Sequence, residues 1–176
     1  GVFMFNHGLM NWLPALLEEG GLSEVDSGYW AAIPTVVGIA GSLLIPRLAT
    51  PERRYHILIA LTLCAALASV LLQFSADLPR ITGLVMQGIA RSSLMTVLIL
   101  TLLELPAVGE KYAGIASGIF FTAAEVGGVL GPISLGILYD VSGGFSAGLY
   151  LLSSISLLIA ISAMALKRTS TSVHNS

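Results

Sequence analysis

The sequence predicts an all-α integral membrane protein built from six transmembrane helices. Of its 176 residues, 55% are hydrophobic and 10% are charged, whereas a soluble domain carries about 25% charged residues. Mean hydropathy is +0.89. The apolar residues fall into six segments, 1–17, 27–48, 57–76, 81–104, 113–138 and 145–166, each near the ~20 helical residues that cross about 30 Å of hydrocarbon. Residues 167–176 remain as a polar tail.

The same composition excludes several classes. A net charge of −2, with no basic run and no aromatic-basic interleaving, offers no surface to nucleic acid. Cys64 is the single cysteine, so one chain can form neither a disulfide nor a Cys-based metal site, and no cofactor is expected. The chain opens at Gly1 inside an apolar run, without methionine or a charged leader, and so reads as a fragment.

Helix one carries Asn6, His7 and Asn11 among apolar neighbours. Against lipid these groups would be costly, which favours a cavity lining over the plainer role of helix-to-helix glue. Trp12, with Tyr29 and Trp30 at the start of helix two, reads as an aromatic belt. Pro14, Pro34 and Pro132 are expected to break or kink helices one, two and five and free a carbonyl in each. Helix three holds Cys64 as a small buried hydrophobe.

Helix four, 81–104, carries Arg91 at mid-depth. A guanidinium at the bilayer centre costs at least about 2.5–3.5 kcal/mol, so it faces a bundle interior or a watery cavity. Gln87, four residues earlier, shares its face. Helix five carries Glu125 at nearly the same depth. If Arg91 pairs with it, Glu125 stays ionised; if Arg91 faces an anionic substrate, desolvation favours a protonated Glu125 and proton coupling. Gly114-x-x-x-Gly118 and Gly127-x-x-x-Gly131 allow close backbone approach.

The connections fix an orientation. Arg47, Arg53, Arg54, Lys111, Lys167 and Arg168 collect on one side, against Arg80 on the other, so the positive-inside rule places both ends of this chain in the cytoplasm. An offset of 90 superposes Ser27-Gly28 on Ser117-Gly118, Gly38 on Gly128 and Gly41 on Gly131. Helices two and five then correspond in opposite directions, a 3+3 inverted repeat of the kind that builds transporters around a midplane site. The same offset maps helix four onto positions before Gly1, as if about ten residues of helix one were missing.

The run from Gly127 to Pro132, then Gly136 and Tyr139-Asp140-Val141-Ser142-Gly143-Gly144, resembles the eleventh helix and outer loop of major facilitator superfamily transporters. Arg47-x5-Arg53-Arg54 is similar to the family's basic loop between helices eight and nine, with Pro46 standing where an acid is usual. Glu104 could meet an arginine of that loop. Asn11-Trp12-Leu13-Pro14 resembles the cyanate-permease branch. The resemblance spans the whole chain and implies the C-terminal half of a facilitator-type twelve-helix bundle. It also implies a missing N-terminal six-helix half of the same polypeptide, alternating access, and a multi-pass location in the cell (inner) membrane.

Together these features predict a secondary transporter that moves a small, anionic solute through the lipid bilayer, with Arg91, Gln87, His7, Asn11 and Asn6 at the substrate and Glu125 as a proton or ion-pair site. Arg47, Arg53, Arg54, Glu104, Gly127, Gly131 and Pro132 serve gating or packing. Two other classes compete. One is a six-helix membrane subunit or scaffold without transport. The other is an intramembrane serine hydrolase, since Gly144-x-Ser146-x-Gly148 matches a nucleophile elbow formally and His7-x-x-x-Asn11 is similar to intramembrane serine proteases. The elbow, however, needs a strand-turn-helix setting, and the histidine downstream of Ser146 is His174, on the opposite side.

Overall fold

The computed structural model describes residues 1–105 and 108–174, leaving aside the side chains of 109, 110 and 169–174. Six helices follow in order: α1 (Val2–Glu19), α2 (Glu24–Leu48), α3 (Arg54–Leu71), α4 (Asp77–Leu103), α5 (Gly109–Ser142) and α6 (Ser146–His174). Residues 106 and 107 of the expected loop Leu105–Tyr112 lie outside the described residues, as do 175 and 176 of the expected tail.

Local chemistry sets most of the boundaries. The Ser23 hydroxyl accepts the Asp26 N–H at 3.1 Å and starts α2 three residues before the apolar run, the usual task of an N-cap serine. Gly143, at φ +75°, ends α5 in a left-handed turn that favours glycine. That places the end of α5 beyond the expected Leu138. Pro14, Pro34 and Pro132 lie inside continuous helices, so none of them breaks its segment. The segment expected as a tail continues α6 as far as His174.

Five of the six helices are long and apolar enough to cross a membrane, and α1 is the exception. Its 18 residues rise only about 27 Å, and they include Asn6, His7, Asn11, Glu18 and Glu19. Packing, more than apolarity, holds it in place: Phe5, Leu9, Leu13 and Leu17 line one stripe and are almost fully buried. The core they enter is shared with Leu58, Leu61 and Ala65 of α3, Leu84 and Leu94 of α4, and Leu149 and Leu152 of α6.

The helices associate chiefly as α1 with α5, α2 with α4, α3 with α4 and α3 with α6. Exchanging helices one to three with four to six carries the α1–α5 pair onto α4–α2 and returns α3–α6 to itself, as the inverted repeat requires. Both related pairs cross through glycine. A Cβ on Gly131 would come within 2.5 Å of the Met4 carbonyl oxygen, and one on Gly88 within 2.5 Å of the Pro34 carbonyl oxygen. The α3–α4 contact is extensive and its counterpart, α1–α6, is sparse, so the repeat is approximate. Gly114 and Gly118, expected at a close crossing, face open space among the described residues.

A polar layer between helices one, four and five

Arg91 sits midway along α4 and is half-buried. Its Nη2 lies 2.9 Å from the Met10 sulfur of α1, and its carbonyl accepts a 3.4 Å hydrogen bond from Asn6 Nδ2. Among the described residues no carboxylate stands within ion-pair distance of it; the ion pair present joins Arg54 to Glu104. The expected alternative in which Arg91 pairs with Glu125 is therefore not the arrangement found. Glu125 is carried by α5, which packs on α1 and only slightly on α4, so the two charges belong to different crossings.

Gln87 departs from expectation more sharply. It shares the Arg91 side of α4 but is fully buried, and neither its amide oxygen nor its nitrogen has a hydrogen-bond partner. It lines no open cavity here. Asn6 Oδ1 is likewise buried and unpartnered, so the layer keeps unused hydrogen-bonding capacity next to Arg91, a cost that buried polar groups seldom bear. Asn11 turns back on its own helix and donates to the His7 carbonyl at 2.8 Å; that bond makes it neither interhelical glue nor part of the buried cluster.

His7 stacks on Phe3 at 5.2 Å, with the rings 16° from parallel. Across from it lies Gly128 of α5. The point that a Gly128 Cβ would occupy is 3.1 Å from His7 Nδ1 and 3.5 Å from Glu125 Oε2. Gly127 meets Gly1 and Met4, while Gly131 meets Met4 and Gly8, so both expected packing glycines lie on the α1–α5 seam. Pro132 is there too, its carbonyl accepting 2.9 Å from Trp12 Nε1. Trp12 also stacks on Tyr139 and tilts against Phe145. It is an inter-helix strut, where the sequence suggested an aromatic belt.

At the Glu104 end, Arg54 is buried at the start of α3 and paired with Glu104 at the end of α4, while Arg47 and Arg53 are exposed. At the other end, Arg80 has a role that its sequence position did not reveal. It is 4% exposed, donates from Nη2 to the carbonyls of Gly20 at 2.7 Å and Ser75 at 2.6 Å, and lies over the Trp30 ring. The sequence signal was its isolation, as the single basic residue on that side. Ser146 opens α6 as an exposed residue, and no strand precedes it among the described residues, so the nucleophile-elbow setting is absent.

The Major Facilitator Superfamily model matches residues 1–176. The chain is 32% identical over 158 residues to a quinolone resistance transporter of Acinetobacter baumannii, covering 86% of this chain and 35% of that protein. It is also 32% and 26% identical, each over 175 residues, to two proteins of Agrobacterium vitis provisionally named tartrate transporters, covering 90% of this chain and 36% and 35% of theirs. The chain thus spans about a third of the length of these relatives. No solved structure matches it. The cyanate-permease branch gains no support from these matches. With its whole length matched by the family and its helices arranged as half of a facilitator bundle, the chain belongs to the major facilitator superfamily.

Proposed function

We propose that the full protein is a secondary transporter of a small organic anion, working by alternating access, with Arg91 as the substrate's counter-charge. The observation that carries this reading is a half-buried guanidinium at mid-helix that meets no carboxylate among the described residues. A cation left in that state is stabilised by an anion brought to it, and a guanidinium fork suits a carboxylate. Two relatives are named for tartrate, whose carboxylates fit this chemistry.

Asn6 and Gln87 add unpaired hydrogen-bonding atoms beside Arg91, and His7 borders the same layer. In the alternating-access reading Gln87 becomes accessible when α1 and α4 separate. Glu125 is the proposed proton carrier. The positive-inside count supports an inner-membrane placement with both ends of this chain cytoplasmic, and the exposed faces of α2 and α5 are offered to lipid and to a further six-helix half of the polypeptide.

The quinolone relative raises an apolar cargo as a second reading. A cavity of about 230 Å³ lined by Phe3, Met95, Leu98, Phe120 and Ile159 favours it. That volume is below the ~300–1,000 Å³ typical of pockets for drug-sized ligands, so the anion reading is preferred.

The test is uptake of labelled tartrate by vesicles holding the full-length protein. Arg91→Ala is expected to abolish uptake at unchanged membrane insertion; wild-type uptake by that variant overturns the assignment.

A further inference from the structure

We propose that the anion carried by the full protein is amphipathic: its carboxylate meets Arg91, and a short chain joins it to an apolar ring that enters the cavity between α1, α4, α5 and α6. This rests on the Arg91 reading above and deepens it by naming the substrate class, an aryl-alkyl carboxylate.

Two stripes of side chains bring the charge and the cavity into one line. On α4, Arg91, Met95 and Leu98 follow at helical spacing and share a face, and Met95 and Leu98 line the cavity. On α1, Phe3, Asn6 and Met10 share a face in the same way. Phe3 lines the same cavity, Asn6 donates to the Arg91 carbonyl at 3.4 Å, and the Met10 sulfur lies 2.9 Å from Arg91 Nη2. The two faces are therefore turned to one another in antiparallel register, Met10 and Asn6 opposite Arg91 and Phe3 opposite Met95 and Leu98. Along α4 the cavity lies between about 6 and about 10 Å from Arg91, the rise of four to seven residues.

Size and lining decide what the cavity takes. Among the described residues its lining holds no charged, amide or hydroxyl side chain, and Phe120, Ala123 and Ile159 close it opposite α4. Its volume is about 230 Å³. An apolar cavity of about 150 Å³ stays dry and takes benzene, whereas a drug-sized ligand fills about 300–1,000 Å³. The space thus suits one ring of a ligand and excludes its charge. That charge has a place nearby. Arg91 rests on a thioether, a weak acceptor, and a carboxylate is the stronger partner for its fork. A ring and a carboxylate on one molecule satisfy both positions together.

The test uses full-length protein in lipid nanodiscs and tritiated ω-phenylvalerate, whose chain of methylenes bridges the separation, displaced by unlabelled competitors. Unlabelled ω-phenylvalerate is expected to compete about ten- to hundredfold better than valerate, the effect of burying a phenyl group. It should also compete better than the corresponding alcohol, which keeps the ring and lacks the carboxylate. Ala123→Phe, which fills the cavity from α5 with a ring of its own, is expected to weaken binding of the label about tenfold or more. Should that variant not fold, Leu98→Asn, which makes the lining polar, is expected to weaken it in the same direction. Valerate or the alcohol competing as well as the aryl acid, unchanged affinity in whichever cavity variant folds, or no binding of the label overturns the ring site. Tartrate uptake by Arg91→Ala is read separately and decides the counter-charge assignment, so the two failures are told apart.

Discussion

A single hydrogen atom at two glycines decides how closely the helices meet. At Gly88 a Cβ would lie 2.5 Å from the Pro34 carbonyl oxygen and 2.8 Å from its Cα; at Gly131 it would lie 2.5 Å from the Met4 carbonyl oxygen. These obstacles are backbone, so the helices themselves must part. Gly88→Ala and Gly131→Ala are each expected to destabilise the protein by about 1–3 kcal/mol, the range for overpacking, seen as a lower thermal midpoint in detergent. Gly118→Ala is the control. Nothing lies within 4 Å of its added methyl, so it should leave the midpoint unchanged or raise it through helix propensity worth up to about 1 kcal/mol. Equal losses at all three positions would refute the close-crossing account. The contrast also shows why spacing misleads: the two Gly-x-x-x-Gly pairs of α5 look alike in sequence, yet among the described residues only Gly127 and Gly131 meet another helix.

Among the elements, the ends of α3 and α4 carry the polar ties. Arg54 has a 5% exposed side chain and Glu104 a 48% exposed one, so losing each partner should have unequal effects. Glu104→Leu leaves a sealed guanidinium whose Nε already lacks a partner, the kind of orphaned charge that costs about 3–5 kcal/mol when fully buried. Arg54→Met leaves only a half-exposed carboxylate, which water can serve. Glu104→Leu is therefore expected to lower the thermal midpoint more than Arg54→Met; the reverse order would show that Arg54 is not sealed in solution. At the opposite end Arg80 ties the end of α1 to the α3–α4 turn through two carbonyls. Arg80→Leu should cost about 1.5–3 kcal/mol, the range for hydrogen bonds to charged groups, measured in the same melts.

For the whole molecule, the uneven burial of the helices bears on what surrounds them. Glu24–Leu48 and Lys111–Ser142 bury little of their apolar windows within the chain, whereas α3 and α4 bury far more. Exposed Val36, Ile39 and Leu43 on α2, with Ile119, Val126, Val129 and Ile133 on α5, are the surfaces the proposed transporter presents to lipid and to its other half. The orientation proposal belongs to this scale. In a Cys64→Ala background, cysteine placed at exposed Thr50 is expected to react with an impermeant thiol reagent only after the membrane is opened, and cysteine at exposed Asp140 without opening it. Reaction at both positions from the outside would reject the proposed topology.

The sequence by itself determined the class of protein, the six helices and the family. Those follow from six apolar segments near spanning length and from short runs such as Gly127 to Pro132, whose residues lie within a few positions of one another. It also singled out Arg91, Glu125, His7 and Asn6 as groups unsuited to lipid, because hydrophobicity is a local quantity. Partnership was different. Only the tertiary structure decided that Glu104 meets Arg54, that Arg91 meets Met10 and Asn6 while Glu125 and His7 converge on Gly128, and that Gln87 is sealed. It likewise turned Trp12 inward and tied Arg80 to two carbonyls. Depth along a helix can be counted in sequence, but the direction in which a side chain points depends on how each helix is rotated against its neighbours, and close contacts distributed over the whole bundle set that rotation.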